Sequence, residues 1–456
     1  MISRSLRKIA PLFVMAAWLL AQAGHATVGP VAQLPTVTAG VTASPCVLPI
    51  LLVQDQDEWK DFGIQVTLKV YPNSEEQADR LVGNEWEVGV LDPFYAVKAG
   101  NEGDVAIVGL AGNLSHQLYL LSRKGNRISS MPQVRQAIQD KEILAPGPSA
   151  EHFFLSFLQG KPNEALPPPA SKTGTELAEA FLRGKGELAL LRSPQALLAV
   201  QQGFHAWPDL RKEETFLPVC LVASAAYADT RKTLVIRWLE GYARGVRILL
   251  KNPAKAAFRL KGFYQETLKI EVPQGLLEKE IAEAFFGEKR QEEAFNRSGG
   301  NPSSVEGFAH LMSDYQVRMK VLKTKKDPGE YILDKMCGQL AALRREAETQ
   351  FDQTRMAIDQ AEKGGMKVEK FRRELDVARS QMEEGRGCLT VIGTLSNLMR
   401  SAEQAKVEAQ RFRKFRFLEL GVGGVLIAYY AGYFVRRRKK RVSIRKVLNI
   451  FSRKER

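Results

Sequence analysis

Few residues in this 456-residue chain are spaced for chemistry. Its five histidines (His25, His116, His152, His205 and His310) show no metal-ligand spacing, so no metal site is expected. There is no G-x-S-x-G elbow, no Walker-type loop and no Cys-x-x-Cys pair. The usual signatures of nucleophilic, nucleotide and thiol redox chemistry are therefore missing. Gly421, Gly423 and Gly424 form no phosphate loop, because they sit inside an apolar run. No cofactor and no enzymatic activity are expected. The four cysteines (Cys46, Cys220, Cys337 and Cys388) remain as candidates for cross-linking.

Composition bounds the elements that must carry these residues. Apolar residues make up 45 % and charged residues 26 %, an ordinary globular balance. The net charge of +15 is concentrated at the ends. Residues 436–456 hold eleven Lys/Arg against Glu455, and Arg4, Arg7 and Lys8 add three more cations. The body between is nearly neutral, so no nucleic-acid partner is expected. The basic start, the apolar run Ile9 to Leu20 and the small residues Gly24 and Ala26 read as a signal peptide over 1–26. A second apolar stretch, Leu420 to Val435, is extended by Phe417 and Leu418 and bounded by Arg436 to Arg441. It predicts a transmembrane helix over 417–435 with the body periplasmic and a basic cytoplasmic tail over 436–456, a single-pass inner-membrane protein. Val442, Ile444, Val447, Leu448, Ile450 and Phe451 make that tail amphipathic, suited to anionic headgroups. Gly424, Ala428 and Gly432 fall on one helix face, where small residues let a homodimer form.

Residues 27–330 alternate β-rich runs with helical stretches, an α/β pattern. Strands are predicted at Val37–Val41, Gln65–Tyr71, Glu87–Leu91, Ala106–Gly109, Leu118–Ser122, Glu142–Ala145, Glu187–Leu191 and Leu217–Ser224. A long helix is predicted over Lys232–Lys251. From 331 to 416 apolar residues recur at three- and four-residue steps, broken at Gly364-Gly365 and Gly385-Arg386-Gly387. That reads as an α-helical hairpin or coiled-coil stalk. In such a hairpin Cys337 and Cys388 lie equidistant from the Gly364-Gly365 turn, which predicts a disulfide between them. Two free buried thiols, or pairing of Cys46 with Cys220, are the alternatives.

Several stretches in order carry a resemblance. They are Val37-Thr38-Ala39-Gly40, then Leu48-Pro49-Ile50-Leu51-Leu52-Val53, then Phe62-Gly63-Ile64-Gln65-Val66. Leu81-Val82-Gly83-Asn84-Glu85-Trp86-Glu87-Val88-Gly89 follows, and Leu182-Arg183-Gly184-Lys185-Gly186-Glu187 repeats its pattern. Ile143 to Ala150, and Val222 to Ala228 with Asn252-Pro253-Ala254, complete the series. Together they resemble the nitrate/sulfonate/taurine and thiamine-pyrimidine-precursor class of periplasmic substrate-binding proteins. The resemblance implies a two-lobed type II periplasmic-binding-protein-like domain that closes on a small ligand for an ABC-type transporter or for sensing. It implies a crevice formed by loops bearing Thr42, Ser44, Asp92, Asn113, Ser149 and Arg192. Ser44, Asn113 and Ser149 would offer hydrogen bonds, and Arg192 a charge for a carboxylate, sulfonate or phosphate. Asp92 would repel an anion or hold an amine. The alternative is a scaffold with a degenerate cleft that binds another envelope protein through its lobes and stalk.

Overall fold

The computed structural model describes residues 33–123, 130–140, 143–159, 174–207, 215–297, 301–411, 424–425 and 427–429. The signal segment, the tail and most of 417–435, Gly432 included, lie outside the described residues. Among the described residues no helix is long and apolar enough to cross a membrane.

Within Thr36–Arg456, two sheets organise the α/β part. The first sheet has the order β2-β1-β3-β9-β4, from β1 (Thr36–Thr42), β2 (Gln65–Tyr71), β3 (Val88–Leu91), β4 (Val105–Asn113) and β9 (Pro218–Ser224). β1 pairs in parallel with β2 and β3, whereas β9 runs antiparallel between β3 and β4. Every residue of β3 and β4 is buried, as expected for strands covered on both faces. The second sheet has the order β6-β7-β5-β8, from β5 (Leu118–Ser122), β6 (Ile143–Leu144), β7 (Leu188–Arg192) and β8 (His205–Ala206).

We call each sheet with its helices a lobe; the chain passes from the first sheet to the second between β4 and β5 and is back in the first at β9. Asn113 ties the two crossings together. Its Oδ1 accepts from Leu217 N at 3.0 Å and its Nδ2 donates to Thr215 O at 3.2 Å.

Helices α1 (Leu48–Asp55), α2 (Ser74–Val82) and α3 (Pro93–Glu102) belong to the first lobe. The second lobe holds α4 (Met131–Asp140), α5 (Ala150–Leu158), α6 (Gly174–Leu182) and α7 (Gln195–Gln201). After β9 come α8 (Ala225–Thr230), α9 (Lys232–Lys251), α10 (Pro253–Leu268), α11 (Gln274–Ala284), α12 (Glu288–Phe295) and α13 (Ser304–Arg318). α13 braces both lobes. Tyr315 OH meets His152 Nδ1 of α5 at 2.6 Å, and Gln316 Nε2 donates to Phe94 O of α3 at 2.6 Å. α9 lies against α1 closely enough that a Cβ on Gly245 would stand 2.1 Å from Pro49 O.

Residues 331–333 then bridge to the edge of β4, where Ile107 N donates to Tyr331 O at 2.8 Å. Three helices follow: α14 (Asp334–Lys363), α15 (Glu369–Glu384) and α16 (388–411). Thus the two glycine breaks separate an up-down-up bundle, not a two-helix hairpin. Its core holds Ile358, Ala361, Val368, Leu375, Ala378, Val391, Leu395 and Ala402. α14 and α16 run parallel, since Gln350 meets Ser396 at 3.4 Å and Gln360 meets Lys406 at 2.7 Å.

That third helix corrects the predicted Cys337–Cys388 disulfide. Cys388 is a free thiol, and its backbone N–H donates to Glu240 of α9 at 2.8 Å. Its neighbour on α14 is Arg344, about 10 Å along the helix axis from position 337. Cys46 and Cys220 are free as well, so the alternative pairing is not formed either.

The bundle docks on α9. Arg244 Nη1 donates to Glu384 O and Arg247 Nη2 to Gly385 O, each at 2.7 Å. Gly385 ends α15 with φ near +70°, a backbone conformation that favours glycine. Arg344 and Arg247 share Glu288, and Arg386 pairs with Asp61 at 3.1 Å. A cavity of about 60 Å³ lies at this joint, lined by Leu239, Tyr242, Leu340 and Cys388 among others. Burial holds the Glu240 carboxyl above its ordinary value there, against the Cys388 hydrogen bonds that favour its charged form.

Candidate functional site

The end of β3 and the first turn of α3 place Asp92. Its Oδ1 caps the helix by accepting from Phe94 N at 2.8 Å. β7 ends on Arg192, in the other lobe. The two meet across the interlobe space, Arg192 Nη2 to Asp92 Oδ2 at 2.8 Å. Glu151, in the first turn of α5, completes the group by accepting from Arg192 Nε at 2.5 Å. The side chains of Asp92 and Glu151 are 3 % and 4 % exposed, and that of Arg192 is 28 % exposed. One guanidinium therefore bridges two buried carboxylates from opposite lobes.

Burial raises the Asp92 carboxyl above its ordinary value, with Arg192 opposing the shift. Burial would lower the Arg192 guanidinium, yet Glu151 and Asp92 more than reverse this and keep it protonated. A third buried acid sits beside them. Glu280 of α11 accepts from Ser193 Oγ at 2.6 Å and from Tyr119 OH at 2.9 Å. Between the lobes Gln117 Nε2 donates to Cys46 Sγ at 3.3 Å, and burial pushes the Cys46 thiol up to about 12.

Of the six residues expected to line the crevice, the fold joins Asp92 and Arg192 directly. Asn113 serves the lobe crossings, as described above. Ser149 caps α5, accepting from His152 N at 3.2 Å. Thr42 ends β1 and Ser44 lies on the β1–α1 connection, both half-buried, and Ser44 N donates to Thr42 O at 2.8 Å. The Ser44 side chain makes no capping bond.

Glu151 and Glu280 were not anticipated. An acid in the first turn of the apolar segment Ala150–Leu158 was the available signal for Glu151, since the dipole there favours a carboxylate. Glu280, in a Lys/Glu-rich helical stretch, gave none.

Ser149→Ala is expected to cost about 1 kcal/mol, the usual loss of an N-cap, while leaving ligand affinity unchanged. Urea unfolding beside a binding titration checks this. A loss of binding without a loss of stability would make Ser149 a ligand contact instead.

No protein-family model matches the chain, and no curated protein matches it. Solved structures do. The periplasmic aliphatic sulphonate binding protein SsuA from Escherichia coli aligns with TM-score 0.51 and 13 % identity, covering 66 % of this chain and 92 % of its own. The alkanesulfonate-binding protein SsuA from Xanthomonas axonopodis pv. citri, bound to MOPS, gives 0.51 and 13 %, covering 66 % and 99 %. The periplasmic nitrate-binding protein NrtA from Synechocystis PCC 6803 gives 0.51 and 9 %, covering 68 % and 89 %. At such identities the likeness speaks to architecture, and it agrees with the paired sheets and the two crossings: this chain has the mixed α/β fold of the periplasmic binding proteins.

Proposed function

We propose that the chain is a membrane-tethered periplasmic solute-binding module. Residues 27–330 form the binding part, 331–416 the bundle that holds it away from the span at 417–435, and 436–456 a cytoplasmic tail. The two lobes close on a small ligand and hand it to an ABC-type permease or report it to a partner. One observation carries the reading: the contact of Asp92 with Arg192 joins opposite lobes at the place where a closing ligand would be held. The structural neighbours named for sulphonate and nitrate binding support it through the shared fold. The tether is supported by Val425, Ile427 and Tyr429, helical residues that are 70 %, 72 % and 70 % exposed, as apolar side chains facing lipid would be.

A thermal-shift screen of the full chain in detergent against sulfonates, carboxylates, amines and pyrimidines tests the binding step. Stabilisation by one class, lost when Asp92 and Arg192 are both replaced, is expected. Absence of any ligand effect would sink the reading.

A second reading has its own support. Arg192, Asn113 and Ser149 all have polar groups engaged within the protein, as in a scaffold whose cleft no longer binds. In that case an envelope protein bound through lobes and bundle takes the place of the ligand, and crosslinking in cells recovers it in equal yield from the Asp92 and Arg192 variants.

A further inference from the structure

We propose that the interlobe site selects a small organic cation, one bearing an ammonium or guanidinium group, over an oxyanion. This inference rests on the solute-binding reading above and names its ligand class. Three carboxyl side chains lie buried along the site. Asp92, Glu151 and Glu280 are all buried residues, and Arg192 is the cation set among them. With all of them ionised the group is net negative.

Glu151 supplies the independent sign of a missing donor. One of its oxygens holds Arg192, while Oε2 is buried with no hydrogen-bond partner among the described residues. A buried carboxylate oxygen without a donor is costly, and a ligand N–H would satisfy it.

Two helix starts beside the site already carry side chains of the protein itself. The free N–H groups at a helix start attract oxyanions. At α3, however, the protein's own Asp92 carboxylate accepts from Phe94 N, and at α5 the Ser149 hydroxyl accepts from His152 N. An incoming sulfonate or nitrate would have to draw Arg192 away from Asp92 and Glu151. Both carboxylates would then remain buried, facing each other and the anion. An ammonium or guanidinium adds positive charge and donors, which are what the group lacks, and it leaves Arg192 in place or replaces it like for like.

The experiment uses the full chain in detergent with four probes: agmatine, putrescine, ethanesulfonate and nitrate. Agmatine or putrescine is expected to raise the melting temperature by several degrees and to bind measurably by calorimetry. Affinity should fall at least tenfold in Glu151→Gln, with Asp92→Asn as a second variant should the first fold poorly. Ethanesulfonate and nitrate should leave the melting temperature unchanged. Stabilisation by ethanesulfonate or nitrate that Arg192→Lys abolishes would overturn cation selection yet keep the solute-binding reading. Failure of all four probes, together with failure of the wider screen, would overturn both.

Discussion

Arg192→Ala should lower the melting temperature by about 3 °C at neutral pH. Removing the guanidinium leaves the carboxylates of Asp92 and Glu151 buried with no charge partner. Breaking a buried pair in this way costs about 3–5 kcal/mol. The lower end applies, because the Arg192 side chain keeps 28 % of its surface in solvent. In a chain of this size roughly 3 kcal/mol corresponds to the stated shift. The deficit depends on pH with a definite sign. Burial already holds the Asp92 carboxyl above its ordinary value, and without Arg192 it rises further. The folded variant then resists ionisation that the unfolded chain undergoes, so stability falls as pH rises through the ordinary carboxyl range. Near pH 4 the variant should approach the wild type, and near pH 7 the gap should be full. The triple change Asp92→Asn, Glu151→Gln, Arg192→Met, which removes the charges together, should recover most of the loss. Melting curves across pH read all three proteins. A single variant melting within 1 °C of wild type at pH 7 would mean that the ion group does not hold the lobes.

Gly245→Ala should destabilise by about 3 kcal/mol, the upper part of the usual range for overpacking. In an open helix the same exchange gains roughly 1 kcal/mol, so the sign itself is diagnostic. The new Cβ would stand 2.1 Å from Pro49 O and 2.6 Å from Pro49 C, backbone atoms of α1 that cannot rotate away. α9 and α1 must part or tilt. The consequence reaches the interlobe site, because Tyr242 OH on α9 donates to Cys46 O at 2.9 Å, just ahead of α1. Cys46 in turn accepts from Gln117 on the connection between β4 and β5. Gly262→Ala in α10, where a Cβ would meet nothing within 4 Å, is the control and should stabilise by about 1 kcal/mol. Chemical denaturation of the two variants side by side decides it. Equal behaviour would refute the close approach.

Much of the α/β part was legible because its signals are local. Gln65–Tyr71 and Leu118–Ser122 are strands over the expected residues, and Lys232–Lys251 is the expected helix. Val66, Thr67 and Val70 in the first, the apolar run Leu118 to Leu121 in the second, and the long amphipathic period of the helix need no tertiary context. α1 was not recognised as a helix, for the opposite reason. Leu48 to Val53 are all buried, so the segment has no polar face to mark a period. The bundle's seams and both glycine breaks were legible too, but the path of the third helix was not. Cys337 and Cys388 face each other only if the chain returns once, and α14 and α16 instead run parallel. Within the site, Asp92 and Arg192 came from loops that the resemblance placed at the crevice. Glu151 and Glu280 were hidden because a lone acid in a helix ordinarily faces water. Only the apposition of α5 and α11 with β7 turns them inward.

The odd number of helices in the bundle has a mechanical consequence. A two-pass hairpin would return the chain to its point of departure beside α9. Here the second pass returns to that point, at Glu384 and Gly385, and the third leaves it again. Residues 388–411 form a rod about 36 Å long, anchored at its base by Glu240, Arg244 and Arg247 through the turn before it. Its far end is a lever arm. A rotation of α9 by 10° would swing residue 411 sideways by about 6 Å if the joint stays rigid, a displacement of roughly one helical turn. Small rearrangements where the lobes meet α9 are thereby magnified at residue 411.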